Sequence, residues 1–189
     1  MQKTKFILLG FEICFFVFSL QWIFYTQTSI KKEENIEKFF QEKKEYGISD
    51  TNSSNKENYV GIVEIPIIDV KVGFFSKENQ LNSVEYGIEV IKNSKMPSEV
   101  GNLILASHSG TSSISYFKNI HRLKKGDYIY IYYKNIKHIY QVTLIYEEEK
   151  NGSISLPKVE QNSLLTLTTC KGDKQLILIS EHVSFQMYE

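Results

Sequence analysis

Cys170 closes the run Leu165-Thr166-Leu167-Thr168-Thr169-Cys170, and His108 closes the run Asn102-Leu103-Ile104-Leu105-Ala106-Ser107-His108. Both runs are apolar and β-branched enough to form buried strands, and each ends on a reactive side chain. The only other cysteine, Cys14, lies inside an N-terminal apolar run, so the rest of the chain cannot close an internal disulfide. A thiol near its free pKa is mostly protonated at neutral pH, yet the thiolate is the attacking form. An imidazole beside it can take that proton and later give it to a departing amine. Cys170 is therefore the candidate nucleophile and His108 the candidate general acid/base. The competing reading of Cys170 is a buried, inert strand thiol.

The other histidines, His121, His138 and His182, sit in a charged segment, beside lysines and at a late strand end, and read as surface residues. No Cys/His cluster has metal-ligand spacing. Glu147-Glu148-Glu149 reads as a solvated acidic run, and Leu156-Pro157 as part of a loop.

The elements that must position the pair are short strands. Tyr59 to Ile65 alternates until Pro66, and Ile68 to Phe75 follows. Leu103 to Ser107 precedes His108. Tyr128 to Tyr133 and His138 to Tyr146 flank Lys134-Asn135 as a hairpin, and Leu164 to Thr169 and Leu176 to Ser180 close the set. Gln80 to Tyr86 reads as a helical turn and Ser115 to Leu123 as a short helix. About eight short strands with few helices predict an all-β barrel or sandwich.

Thr166-Leu167-Thr168-Thr169-Cys170 matches the Thr-Leu-x-Thr-Cys motif of the sortases, transpeptidases of Gram-positive cell surfaces, and the chain resembles that family. The opening Gly61-Ile62-Val63-Glu64-Ile65-Pro66 with Val70-Lys71-Val72, the Gly101-Asn102 lead to His108, and Phe117 to Asp127 also resemble it. The likeness covers roughly residues 58 to 182. It implies a closed eight-stranded β-barrel, with His108 and Cys170 in the roles assigned above. It also gives Thr169 a place in substrate orientation or the oxyanion site, against the plain reading of a β-branched strand residue. Some sortases bind calcium near the loop that follows Glu147-Glu149; the solvated run is the preferred reading here, with no cofactor expected.

The family places an arginine at the start of the strand after the cysteine. Here Gln175 precedes Leu176-Ile177-Leu178-Ile179, and Arg122 is the only arginine in the chain. If Gly172-Asp173 is a two-residue hairpin turn, Cys170 pairs with Gln175 and Lys171 with Lys174. Paired residues share a face, so Gln175 stands beside the thiol and both lysines turn away. A glutamine amide donates hydrogen bonds but lacks the charged fork. Either Gln175 substitutes at reduced rate, or Lys174 reaches in through an irregular turn, or catalysis is impaired; Arg122 is a remote fourth option.

Residues 6–25 hold 16 apolar residues of 20 and, as a helix, span about 30 Å, a bilayer core. Lys3 and Lys5 precede them, which keeps the N-terminus cytoplasmic. A cleaved signal peptide is the competing reading, but the run is long and Thr26-Gln27-Thr28-Ser29 offers no Ala-x-Ala site. The expected organisation is a cytoplasmic 1–5, a transmembrane helix 6–25, a charged and then flexible linker 26–57, and a catalytic domain 58–189 outside the cell. Formal charge is balanced at 22 against 22, so nothing points to nucleic acid. The implied partners are secreted proteins with Leu-Pro-x-Thr-Gly-like C-terminal signals and an amine acceptor on a wall precursor or pilin. Lack of an apolar span after Ile179 favours the class A, D or E pattern. The competing function is a catalytically impaired sortase-fold module that binds such peptides or partner proteins.

Overall fold

A computed structural model of the chain describes residues 17–23, 59–97, 99–151, 154–156 and 163–187. The chain divides into two units, Met1–Phe40 and Gln41–Glu189. In the first, residues 17–23 are helical. The remainder of the expected anchor, Cys14 and all of linker 26–57 lie outside the described residues. Among the described residues no helix is long and apolar enough to cross a membrane.

The second unit carries eight strands: β1 (Gly61–Ile65), β2 (Val70–Phe74), β3 (Glu89–Val90), β4 (Gly101–Ala106), β5 (Tyr128–Tyr133), β6 (Ile136–Glu149), β7 (Ser163–Lys171) and β8 (Lys174–Met187). They form one sheet in the order β2-β1-β5-β6-β8-β7-β4-β3. The sheet curls around a single core to which all eight strands contribute, among them Val63, Phe74, Val90, Leu103, Ile131, Tyr140, Leu167 and Leu178. The expected closed barrel is therefore nearly closed: among the described residues no ladder joins β2 to β3, the two ends of the sheet. β3 holds only two residues, too few to bridge the seam.

Alternation explains the strands. On β7, Leu165 and Leu167 enter the main core, while Leu164 packs with Ile177 and Ile179 of β8, Tyr146 of β6 and Ile154 on the outer face. Both faces of β7 are covered, and accordingly Leu164 to Thr169 holds only leucine and threonine, with no charged residue. The expected helix at Ser115 to Leu123 is instead a series of tight turns ending in the 3₁₀ turn η2 (Ile120–Arg122). Its backbone bonds run from residue i+3 to i, as in Lys118 to Ser115 and Ile120 to Phe117. Phe117, Ile120 and Leu123, three apart, are buried on one side, and that period of three suits a 3₁₀ path. Gln80 to Tyr86 likewise forms turns rather than a helix.

Candidate active site

β4 and β7 run parallel, with Gly101 opposite Ser163 and the register kept through Ala106 opposite Thr168. Hydrogen bonds carry that register past the end of β4. The Ser107 amide donates to the Thr168 carbonyl at 3.4 Å, and the Thr169 hydroxyl donates to the Ser107 carbonyl at 2.7 Å. The Ser109 hydroxyl donates to the Cys170 carbonyl. Continued by two residues beyond Ala106–Thr168, the same register sets His108 opposite Cys170. Both are exposed. The His108 carbonyl accepts from the amide of Phe117, a fully buried anchor, at 3.2 Å. The Ser107 hydroxyl donates to the Gly87 carbonyl at 2.7 Å. The loop behind the imidazole is thus tied to the core on both sides of His108.

On the other flank of β7, Cys170 pairs with Gln175 and Lys171 with Lys174. Gly172 has φ +60° while Asp173 is not left-handed, as a type II′ turn requires, with glycine in its first central position. The turn is regular and the register is the one expected from the sequence. Gln175 in turn pairs with Glu148 on β6. Cys170, Gln175 and Glu148 thus lie in one row on one face of the sheet. The Gln175 amide nitrogen donates to a Glu148 carboxylate oxygen at 2.9 Å.

The lysines stand on the opposite face. Lys171 makes an ion pair with Glu147 at 2.5 Å, and this hydrogen bond holds the Glu147 carboxyl below the usual carboxylate range. Lys174, exposed in register with Lys171, is turned away from the thiol, so an irregular turn that would bring it in is not present. Arg122 lies exposed on η2. The three glutamates alternate: Glu147 and Glu149 project to one face and Glu148 to the other. Among the described residues no group of three or more His, Cys, Asp or Glu side chains is placed to share a metal ion.

Thr169 is buried, and alternation turns its side chain to the core face, behind Cys170. Its hydroxyl holds the ends of β4 and β7 together. The histidines separate. His121 is exposed, with its ring Nδ1 3.0 Å from the Lys118 carbonyl. His138 is not the expected surface residue: it is 5% exposed, and its Nδ1 lies 3.4 Å from Nε2 of His182. Burial and the neighbouring His182 push its pKa down to about 4.

Sequence reasoning missed Ser109 and Glu148. Ser109, next to His108, could have been flagged by adjacency. Glu148 could not, because its place depends on a β6–β8 register broken by irregularities at Ile139/Tyr140 and Val142/Leu144.

The strand ends thus bring Cys170 and Gln175 into one row, with His108 just past the end of the neighbouring strand β4. A sortase-domain family profile matches residues 63–181. No curated protein sequence matches. Solved structures do. Sortase C-1 from Actinomyces oris aligns at 25% identity and TM-score 0.60, over 67% of this chain and 74% of that one. A Clostridium perfringens sortase D5 transpeptidase aligns at 25% identity and TM-score 0.61, over 82% and 98%. A Clostridium perfringens sortase C, described with the C-terminal cell wall sorting motif, aligns at 22% identity and TM-score 0.58, over 80% and 86%.

Proposed function

The chain belongs to the sortase family of cysteine transpeptidases, and on that premise we propose that it cleaves a Leu-Pro-x-Thr-Gly-like C-terminal signal and joins the protein to an amine of a cell-wall precursor or pilin. The observation that carries this reading is the meeting of two strand ends: the parallel β4–β7 register runs to Ala106 opposite Thr168 and, continued by two residues, sets His108 opposite Cys170, both of them exposed. In the first half-reaction the Cys170 thiolate attacks the carbonyl carbon after the signal's threonine, and an S–C bond forms. The carbonyl oxygen gains the negative charge, and the Gln175 amide, paired with Cys170 across the hairpin, is the side-chain donor this reading assigns to it. The C–N bond then breaks as the His108 imidazolium gives its proton to the leaving amine. In the second half an acceptor amine attacks the thioester, loses a proton to His108, and expels the Cys170 thiolate.

Anchoring by the apolar stretch 6–25, with the N-terminus cytoplasmic and the catalytic unit outside the cell, belongs to the same proposal. Support comes from composition: 16 apolar residues in 20, preceded by Lys3 and Lys5.

One observation favours a second reading. The charged fork of the family arginine is absent, and Gln175 with a Glu148 carboxylate stands in its place. A peptide-binding module with little turnover would tolerate that change. One experiment separates the two readings: the full chain is incubated with a Leu-Pro-x-Thr-Gly peptide and intact mass is recorded. A thioacyl adduct on the parent that disappears in Cys170→Ala is expected. Peptide binding without an adduct would establish the module instead.

A further inference from the structure

Glu148 does more than accept one hydrogen bond. Its carboxylate also takes the backbone amide of Ser155, at 3.1 Å and 3.3 Å to its two oxygens. Tyr146, two residues earlier on the same face of β6, donates its hydroxyl to the Ser155 carbonyl. Both polar groups of the Ser155 backbone are thereby held by β6, and the adjoining Ile154 packs on Tyr146 beside Leu164, Ile177 and Ile179. One carboxylate thus meets two things at once: the amide paired with the nucleophile, and the chain segment that borders the same outer face.

A glutamine side chain has several rotamers and an amide that can face either way. A carboxylate is acceptor-only, so it admits the nitrogen end of the amide and rejects the oxygen end. The bond is charge-assisted and stronger than its neutral equivalent. We propose that Glu148 is a positioning residue for the Cys170 reaction: it fixes the rotamer and flip of the Gln175 amide, holding its nitrogen end on the β6 side of the row that Cys170 shares, and it links that orientation to the segment at Ser155. The proposal rests on the transpeptidase reading above and deepens it.

The test uses the full chain as parent, Glu148→Ala, Glu148→Gln, Gln175→Ala and the double variant Glu148→Ala/Gln175→Ala. Two quantities are read: the Gln175 side-chain amide resonances, identified by their loss in Gln175→Ala, and single-turnover acylation of Cys170 by a Leu-Pro-x-Thr-Gly peptide at saturation. In Glu148→Ala the amide resonances move to free-glutamine positions and acylation slows about tenfold, less than the roughly 10²–10³ of a donor removed outright. In the Gln175→Ala background the same change has no further effect on the saturating rate. Glu148→Gln keeps a neutral acceptor oxygen and returns most of the rate, to within about threefold of the parent. If Glu148→Ala fails to fold, the Glu148→Gln comparison in the two backgrounds carries the test. Equal losses with and without Gln175, or unmoved amide resonances, overturn the proposal. A parent that forms no adduct overturns the transpeptidase reading itself, whereas an adduct indifferent to Glu148 overturns only this inference.

Discussion

At the scale of single residues, the departure at Gln175 has the sharpest consequence. The hairpin register sets Gln175 beside Cys170 and turns Lys174 away. Gln175→Ala removes an amide donor and should lower single-turnover acylation by about 10²-fold. Lys174→Ala should change it by less than about twofold, because its charge is exposed and screened. Gln175→Arg should raise the rate, but by less than a charged fork allows, because Glu148 across the ladder would pair with the guanidinium. Acylation rates across these three variants decide the matter. A large loss at Lys174 with none at Gln175 would sink the assignment. Cys170, His108 and the Gln175 pairing were legible in the sequence because each depends on a motif or a two-residue turn. Glu148 was not, because its partner lies 27 positions away across a bulged ladder.

At the scale of elements, turn chemistry was the most legible layer and helix chemistry the least. Lys134-Asn135 and Gly172-Asp173 both close hairpins where two strand-like runs meet. Ser115 to Leu123 misled because its apolar spacing of three fits an α-helix loosely and a 3₁₀ path better, and little intrinsic propensity opposes the latter. The two hairpins differ in fit. Gly172 adopts its left-handed φ without penalty, and a Cβ there would meet open space. Lys134 sits at φ 49° and Asn135 at φ 60°, a type I′ turn whose first position disfavours lysine. Lys134→Asn should therefore stabilise the fold by about 0.5 kcal/mol. Losing the Lys134 ammonium 5.4 Å from the Tyr133 ring offsets part of that gain. Urea midpoints of the parent and variant check it, and a lower midpoint in the variant would count against the turn assignment.

At the scale of the whole molecule, the sheet separates two chemistries. The thiol row lies at one end of β6, at Glu148, and the His138–His182 pair lies ten residues earlier, about 33 Å along an extended strand. The charged surroundings of His138 in the sequence, Lys134 and Lys137, suggested solvent, but the β5–β6 pairing sets it opposite Ile131 in the core. The ring Nε2 is buried with no hydrogen-bond partner among the described residues, so a proton there would be an uncompensated charge. This fixes the sign of a pH effect. Well above pH 6.5 His138 is neutral in both folded and unfolded chains and contributes no slope. Between pH 6.5 and about 4 the unfolded chain binds a proton that the folded chain refuses, so stability falls as pH falls. One such group gives at most about 1.4 kcal/mol per pH unit. His182, also lowered by burial, acts in the same direction. Carboxylates titrate mainly below pH 5, so the informative window is pH 6.5 to 5. Urea unfolding there should show a slope in the parent that is clearly reduced in His138→Gln, whose side chain keeps a polar end but does not titrate. Acylation at Cys170 should respond little to this substitution at pH 7, given the separation along β6. Equal stability slopes in the two proteins would mean that His138 is solvated and freely protonated, and would overturn its placement in the core.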